Sequence, residues 1–367
     1  MSRSRLAYGI VGAVAATAAA GAAATGLVVQ RRRRTEGRDL PQRFDELDPD
    51  RTSTVYTDDG VALHVEEVGP RDAPLTVVFV HGFALSRRSF YFQRQALTDK
   101  FGDAVRMVFY DQRGHGRSGP GVPDGSTVEQ LGRDLWHVLD VIAQTGPVVL
   151  VGHSMGGMTV LTLATQQSQL FAPGPRRRGR AASARVVGVA LICTSDGGLA
   201  DVTLGLPALV SRLRGPLAPF LLRTARRQAD LVEQGRRIGG DLAWVITRRF
   251  SFGAVDIDPS VVDFLHGIIS GTRIEVIADF YPTLMTYDAR DGVGVVGQVD
   301  GVVISGELDR LTPPAHGRRI AERWPRAEYR EIEGCGHVAV LERPDVVDAA
   351  LIELVDRVTP PTPARGR

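Results

Sequence analysis

The chain is poor in cysteine, has little net charge and shows no internal repeat. Two of its 367 residues are cysteines, Cys193 and Cys335, so neither a disulfide framework nor a cysteine-based metal cluster is expected. Cys335 is interpreted as a small loop-packing residue, with a reactive thiol as the alternative. Lysine and arginine number 44 against 42 acidic residues, giving a net charge of +2 and no general bias toward nucleic acid. The 43% hydrophobic content suffices for one large core.

The most informative segment is G-H-S-M-G-G at residues 152–157. It follows an apolar run at residues 147–151 and opens a helix-like stretch at Met155. A strand that turns sharply into a helix strains the serine between them, and a glycine on each side leaves room for the backbones to pass. The pattern therefore predicts that Ser154 is a nucleophile and that the Met155 amide is an oxyanion donor.

Four further segments, two before Ser154 and two after it, occur in the order that an enzyme with a serine nucleophile requires. The apolar run at residues 75–80 ends in H-G-F, where the Phe83 amide is expected to supply a second oxyanion donor. Another apolar run precedes D-Q-R-G-H-G-R-S at residues 111–118. Near the C-terminus, residues 302–305 lead into G-E-L-D, which ends at Asp309, and residues 330–332 lead into G-C-G-H, which ends at His337.

With these motifs the chain resembles the α/β-hydrolases that have a serine nucleophile, of the esterase, carbon–carbon hydrolase and cofactor-free haloperoxidase type. The resemblance spans roughly residues 52–358. It implies an α/β fold, a mostly parallel sheet with helices on both faces and a helical lid. It also implies Ser154 as nucleophile, Asp309 as acid and His337 as base, with no metal or organic cofactor. Epoxide hydrolases and haloalkane dehalogenases of this fold use an aspartate nucleophile, so the serine argues against both.

The chemistry of these residues supports the same roles. An imidazole can remove the serine proton near neutral pH, an aspartate can orient the ring, and two amides can hold the tetrahedral oxyanion. The sequence therefore predicts a carboxylic ester hydrolase that forms an acyl-enzyme from a hydrophobic small molecule or lipid. One alternative is a carbon–carbon bond hydrolase or a haloperoxidase or perhydrolase-like enzyme. Another is a low-turnover ligand-binding protein of the same fold.

The other polar residues of the motifs are interpreted as structural. His81, His115 and His153 lie beside motif glycines, where hydrogen bonding is favoured over proton transfer. Asp111 and Arg113 are expected to tie a loop together rather than to act on substrate.

The acid that orients His337 has a second candidate. Asp196 follows an apolar strand at residues 186–192, and some hydrolases place their acid after that earlier strand. Gly306 before Asp309 and the two prolines after it match the family pattern and favour Asp309.

Predicted elements alternate between strands and helices, which favours a mostly parallel sheet. D-D-G at residues 58–60 predicts an opening β-hairpin, and apolar residues at helical spacing predict an amphipathic helix over residues 128–142. The Pro-, Gly- and Arg-rich residues 172–184 are interpreted as a surface insertion.

The predicted segments are an N-terminal hydrophobic anchor with its basic flank (1–38), a linker (39–51), the first core part (52–194), a lid (195–300), the second core part (301–358) and a disordered tail (359–367).

The predicted lid is rich in aromatic residues and arginines. The aromatic residues either roof a pocket for an acyl chain or aromatic group, or only hold the lid together. The arginines are interpreted as a solvated face rather than an anion site. The aromatic residues are Phe220, Trp244, Phe250, Phe252, Phe264, Phe280 and Tyr281.

Residues 6–29 carry no charge and are long enough to span a bilayer, which needs about 20 residues. Arg3 and Arg5 precede them, and four arginines at residues 31–34 follow. The segment is predicted to form one N-terminal hydrophobic helix, and the heavier arginine cluster after it favours a single membrane span with the catalytic domain in the cytoplasm. The alternative is an exported protein whose Ala- and Gly-rich signal is cleaved.

Overall fold

A computed structural model of the protein describes residues 44, 47–122, 124–172, 184–202, 240–254 and 256–359. The predicted N-terminal helix at residues 6–29, most of the predicted insertion, Phe220 and the tail beyond Thr359 lie outside these residues and stay predictions. Within the described ranges, no helix combines the length and the apolar character that crossing a membrane requires.

The described residues form one eight-stranded sheet in the order β1-β2-β4-β3-β5-β6-β7-β8. β2 pairs antiparallel with both β1 and β4, and the other pairings are parallel. This confirms the predicted mostly parallel sheet. The strands are β1 (Arg51–Tyr56), β2 (Ala62–Val68), β3 (Leu75–Val80), β4 (Val105–Tyr110), β5 (Pro147–His153), β6 (Arg185–Ile192), β7 (Asp300–Gly306) and β8 (Ala327–Ile332).

The central strands are apolar throughout because both of their faces are covered. Every residue of β3 and of β4 is buried. Side chains alternate between the faces of a strand, so Val78 and Val80 enter one hydrophobic cluster while Val77 and Phe79 enter another. The two clusters lie on opposite faces of the sheet and make up its two core layers.

Helices cover both faces of this sheet. The predicted amphipathic helix spans Val128–Ile142, as the spacing indicated, and the Thr127 hydroxyl caps it by accepting a hydrogen bond from the Gln130 amide. The described α-helices are α1 (Tyr91–Phe101), α2 (Val128–Ile142), α3 (Met155–Gln166), α4 (Gly240–Ser251), α5 (Pro259–Ser270), α6 (Ile274–Thr286), α7 (Arg290–Val296), α8 (Pro314–Glu322), α9 (Ala339–Glu342) and α10 (Pro344–Val358).

The predicted hairpin is confirmed, and the chain before it contacts the rest of the protein. Gly60 in the turn between β1 and β2 has a φ of +80°, which glycine adopts without strain. In the predicted linker, the Phe44 ring stacks on Phe264 of α5 at 4.2 Å between centroids. The Leu47 carbonyl accepts a hydrogen bond from Arg94 at 2.8 Å. The last residues of this segment are therefore held against α1 and α5, which a linker assignment from polar composition did not anticipate.

Gly156 offers a test of how tightly β3 and α3 pack. A Cβ at this position would overlap the Val80 carbonyl oxygen, whereas a Cβ at the exposed Gly267 in α5 would meet no atom within 4 Å. We expect Gly156→Ala to lower the free energy of unfolding by at least about 1–3 kcal/mol. Gly267→Ala should leave it unchanged or raise it by up to about 1 kcal/mol. Chemical denaturation of both variants measures the difference, and equal stabilities would contradict the packing argument.

Candidate active site

Ser154 lies in the sharp turn between β5 and α3, with φ +54° and ψ −120°. This is a rare conformation for a residue with a side chain, and the surrounding packing maintains it. A Cβ at Gly152 would lie 2.6 Å from the Gly157 Cα, so the chain can cross here only with glycine. The Ser154 amide donates to the Ile192 carbonyl at 2.9 Å. The strained turn expected from G-H-S-M-G-G is therefore confirmed.

The structure brings the three predicted triad side chains into one line. Ser154 Oγ lies 2.8 Å from His337 Nε2, and His337 Nδ1 lies 2.8 Å from Asp309 Oδ2. Because Nδ1 faces a carboxylate, it carries the ring proton in the neutral form, which leaves Nε2 free to accept from the serine hydroxyl. Asp309 and His337 follow β7 and β8, which are adjacent parallel strands, so their loops meet at the same sheet edge.

Asp309 is held in its ionised form by its neighbours. Its Oδ1 accepts hydrogen bonds from the amides of Leu311 and Thr312, at 2.8 and 2.9 Å, and its Oδ2 accepts from the Thr312 hydroxyl at 2.8 Å. Burial alone would raise the pKa of this carboxyl, but His337 and Thr312 together hold the pKa below its usual range. An ionised Asp309 favours the His337 tautomer that can accept a proton from serine.

Asp196, the second candidate acid, is used in another ion pair. It is buried, and Arg319 Nε donates to its Oδ1 at 2.9 Å. The Ala289 amide donates to its backbone carbonyl at 2.9 Å. Since His337 contacts Asp309, the geometry supports Asp309 over Asp196 as its partner.

His81 holds the loop that carries Phe83. Its Nε2 accepts from the Gln112 amide at 2.9 Å, so the neutral ring carries its proton on Nδ1 and donates to the Gly82 carbonyl at 2.8 Å. Burial lowers the pKa of His81, which keeps the ring neutral. The peptide unit is planar and trans, so fixing the Gly82 carbonyl also fixes the Phe83 amide on its opposite side.

His115 and His153 have similar structural roles. His115 Nε2 accepts from the Ala84 amide at 3.1 Å, and His153 Nε2 lies 2.9 Å from the His337 carbonyl. Burial lowers the pKa of each ring to about 3, so both are neutral. The structural interpretation of the three motif histidines is confirmed, and each holds a backbone group of a loop that borders the site.

Asp111 and Arg113 tie loops together, as expected from their sequence context. Asp111 accepts from the Arg87 amide at 2.8 Å and from its guanidinium at 2.9 Å. Arg113 pairs with Asp59 at 2.7 Å and with Asp134 at 2.6 Å. Both residues are buried behind the site rather than in it.

The two cysteines are buried and free. Burial raises the pKa of both thiols, so neither forms a thiolate readily at neutral pH. Cys335 therefore fits the loop-packing interpretation better than the reactive-thiol alternative.

A cavity of about 230 Å³ opens beside Ser154 and His337. Phe83 and Met155, the two residues whose amides were predicted as oxyanion donors, both line it. The wall opposite the sheet comes from α5 and α6, whose contributions include Leu265 and Met285. None of its described lining residues is charged. The cavity therefore suits a neutral apolar group next to the serine hydroxyl.

Most of the described aromatic residues of the helical region pack away from the cavity, and several of them join the core layers of the sheet. Trp244, Phe252 and Phe280 are buried in the two hydrophobic clusters, and Phe264 stacks on Phe44. Among the predicted aromatic residues that the structure describes, only Tyr281 lines the cavity. Large rings gain most from full burial, so aliphatic and methionine side chains form most of the wall instead.

Comparison with known proteins supports the same fold. The sequence model of a family described as "Alpha/beta hydrolase family" matches residues 77–350. The chain is 38% identical over 103 residues to the bifunctional esterase/perhydrolase DCH of Acinetobacter calcoaceticus, covering 28% of this chain and 35% of that protein. It is 26% identical over 303 residues to the putative carbamate hydrolase RutD of Caulobacter sp. (strain K31), covering 82% of this chain and 97% of that protein.

A solved thermophilic esterase from Thermogutta terrifontis superposes with a TM-score of 0.62 at 24% identity, covering 84% of this chain and 100% of the esterase. That likeness shows the fold alone. The chain spans only about a third of the length of several curated relatives that it matches. The family match covers most of the chain, and it agrees with the mostly parallel sheet and the turn at Ser154. The chain is therefore an enzyme that belongs to the alpha/beta hydrolase family.

Proposed function

We propose that the protein hydrolyses a carboxylic ester of a hydrophobic small molecule or lipid through an acyl-enzyme on Ser154. The observation that carries this proposal is the continuous line of contacts from Asp309 through His337 to Ser154, with 2.8 Å at each step, beside an apolar cavity. The neutral histidines around the site are held by backbone groups, so His337 is the imidazole available to move a proton.

In this mechanism His337 Nε2 removes the Ser154 proton while the serine oxygen bonds to the ester carbonyl carbon. The resulting imidazolium is stabilised by the Asp309 carboxylate. His337 then returns the proton to the leaving alcohol as the carbon–oxygen bond breaks, and the acyl-enzyme remains. In the second half of the reaction His337 removes a proton from water while the water oxygen bonds to the acyl carbon. His337 then returns that proton to Ser154 Oγ as the bond between the acyl group and the serine breaks, which releases the acid and restores the serine.

The amides of Phe83 and Met155 are the proposed oxyanion donors. Met155 is the first residue of α3, and amides in the first turn of a helix lack partners within the helix. Phe83 is presented by the peptide that His81 fixes from the opposite side. Both residues line the cavity with Ser154 and His337, which supports a shared role for their amides.

The helical region between β6 and β7 is the proposed lid. Its helices α5 and α6 provide apolar side chains to the cavity wall, among them Leu265, Ile269 and Leu284. A cavity of about 230 Å³ lies below the range of roughly 300–1,000 Å³ for sites that hold drug-sized ligands. We therefore expect an acyl group of short to medium length.

A second candidate reaction is the formation of a peracid. The Acinetobacter calcoaceticus relative is named as both an esterase and a perhydrolase. Hydrogen peroxide would attack the same acyl-enzyme in place of water, giving the peracid and free Ser154. Turnover of one ester with and without peroxide, with peracid measured directly, distinguishes the two outcomes.

Carbon–carbon bond hydrolysis remains an alternative reaction for the same site. Side-by-side turnover of an ester and a vinylogous diketone distinguishes it from ester hydrolysis.

Labelling with a fluorophosphonate tests the proposed nucleophile. We expect wild-type protein to be labelled and Ser154→Ala to lose both labelling and ester turnover, by about 10⁴-fold or more in kcat. Turnover of p-nitrophenyl esters should peak at a short or medium acyl chain, because the cavity is small.

The chain offers a matched control for this experiment. Ser195 Oγ lies 2.6 Å from His316 Nδ1, which is a second buried serine–histidine contact. Ser195→Ala should keep its labelling and turnover, because neither residue lines the cavity. Folded wild-type protein that takes up no label would contradict the proposed function.

Two substitutions of His81 test the proposed oxyanion donor at Phe83. Asparagine places its amide nitrogen near the position of Nδ1 and can still donate to the Gly82 carbonyl. Glutamine places its amide near Nε2 and can keep only the contact with the Gln112 amide. We expect His81→Gln to lower kcat by about 100-fold, as loss of one oxyanion donor does, while His81→Asn loses stability but retains more of its kcat. Equal kcat values for the two variants would argue against this role of the loop.

Thr312→Val tests the ionised state of Asp309. The pKa of Asp309 is lowered in the folded protein, so its stabilising contribution is present above the unfolded value of about 3.9 and is lost as pH falls through the folded pKa. Removing the Thr312 hydroxyl should therefore lower the free energy of unfolding at pH 7 by about 1.5–3 kcal/mol. This difference should shrink as pH falls through the folded-state pKa of Asp309, which lies below its usual range.

Thr165→Val is the control, since the Thr165 hydroxyl donates to the uncharged Thr162 carbonyl at 2.7 Å. Its effect on the free energy of unfolding should not change with pH. Denaturant titrations from neutral pH down to the lowest pH at which the wild type remains folded measure both variants. A Thr312→Val deficit that is the same across this range would show that Asp309 is not the charged partner.

A further inference from the structure

Glu342 is a buried carboxylate that joins two segments of the chain beside the site. It is 7% exposed and ends the short helix α9, five residues after His337. Its Oε1 accepts hydrogen bonds from the amides of Gly253 and Ala254, at 2.9 and 2.6 Å. Its Oε2 accepts from the Gly336 amide at 2.7 Å. One carboxylate thus binds the chain that follows α4 and the loop that carries His337.

These two segments also contact each other directly through their backbones. A Cβ at Gly336 would lie 2.5 Å from the Gly253 nitrogen and 2.7 Å from the Ser251 oxygen, so the segments approach as closely as glycine allows. The carbonyl of Ser251, the last residue of α4, accepts from the amides of His337 and Val338 at 2.8 and 3.1 Å. The position of His337 is therefore set from the end of α4 as well as from β8.

We propose that Glu342 is a positioning residue that holds His337 against the end of α4 and so keeps the imidazole in line with Ser154. This inference rests on the proposed function, because it gives His337 the role of the base. Ser251 and Val338 both line the cavity. This joint between the end of α4 and the His337 loop therefore couples the cavity wall to the base. Movement of α4 at this end would have to move the His337 loop with it.

A carboxylate is required at this position because both of its oxygens accept from backbone amides. Glutamine has almost the same shape, but only one of its two terminal groups is an acceptor. If its oxygen faces Gly253 and Ala254, its NH₂ group opposes the Gly336 amide. If the amide group is flipped, the NH₂ group opposes the other segment. Either arrangement removes one side of the joint while leaving the packing volume unchanged.

Glu342→Gln is therefore the decisive variant, with Glu307→Gln as its matched control. Glu307 accepts from the Gly334 amide at 2.9 Å and so touches the same loop, but from the exposed side and without reaching the end of α4. We expect Glu342→Gln to lower kcat for a short p-nitrophenyl ester by about 10- to 100-fold with little change in KM, because a small displacement of the base is costly. The rate of fluorophosphonate labelling should fall in parallel, whereas Glu307→Gln should match the wild type.

The measurements separate this inference from the proposed function. Labelled wild-type protein together with an unchanged kcat and labelling rate in Glu342→Gln would overturn the positioning role alone, even if the variant melts at a lower temperature. An equal loss in Glu307→Gln would also overturn it, since the joint to α4 would then not be the cause. Wild-type protein that takes up no label would overturn the proposed function and the inference with it.

A second variant covers the case in which Glu342→Gln does not fold. Glu342→Asp keeps the charge, but its shorter side chain can reach only one of the two segments. We expect it to fold and to show a smaller loss of kcat with KM again unchanged. A Glu342→Asp enzyme with the full wild-type kcat would overturn the proposal.

Discussion

The strained backbone of Ser154 depends on close contact between β5, α3 and the neighbouring strands. A φ of +54° with a side chain present costs free energy, of order 1–3 kcal/mol, and it persists only where packing leaves no alternative. Glycines at 152, 156 and 157 allow that packing, since a Cβ at each would overlap backbone or side-chain atoms. The Thr194 hydroxyl adds a hydrogen bond to the Ser154 carbonyl at 2.6 Å. The position of the serine hydroxyl is thus a product of the whole sheet rather than of the turn alone.

Buried polar groups around the site fall into two classes with different electrostatic consequences. The motif histidines are neutral, and each is used to hold a backbone group, so they add no charge to a region of low dielectric constant. The acidic and basic groups lie behind the loops, as with Asp111 and Arg87, in line with the serine, as with Asp309, or between the His337 loop and the end of α4, as with Glu342. In the proposed mechanism, a proton taken up by His337 would be stabilised by Asp309, because the nearby imidazoles are neutral and contribute no charge.

Much of the fold and of the candidate site could be predicted because the signals are local in sequence. The strand and glycine pattern around Ser154, the helical spacing over Val128–Ile142 and the D-D-G turn each depend on residues close together in the chain, and the structure has all three. Asp309 and His337 could be placed because each ends a recognisable motif that follows a late strand. The order of the strands in the sheet confirms that their loops meet.

Contacts between distant segments could not be predicted in this way. Nothing in the sequence near Asp196 indicates that Arg319, 123 residues later, is its partner. Phe44 was assigned to a polar linker, and only the position of α5 shows that its ring stacks on Phe264. Glu342 is similar, since its role depends on Gly253, which lies 89 residues earlier. A single charged residue in an apolar helix gives no signal until the fold supplies its partners.

The helices that enclose the cavity are attached to the catalytic machinery in two different ways. The end of α4 is bonded backbone to backbone with the His337 loop, so its geometry is constrained by the position of the base. By contrast, α5 and α6 reach the cavity mainly through apolar side chains such as Leu265 and Met285. Substitutions there can change the size and shape of the cavity without moving His337. In the proposed mechanism this separation would let acyl specificity vary on α5 and α6 while the proposed contacts of Glu342 keep the proton-transfer geometry fixed.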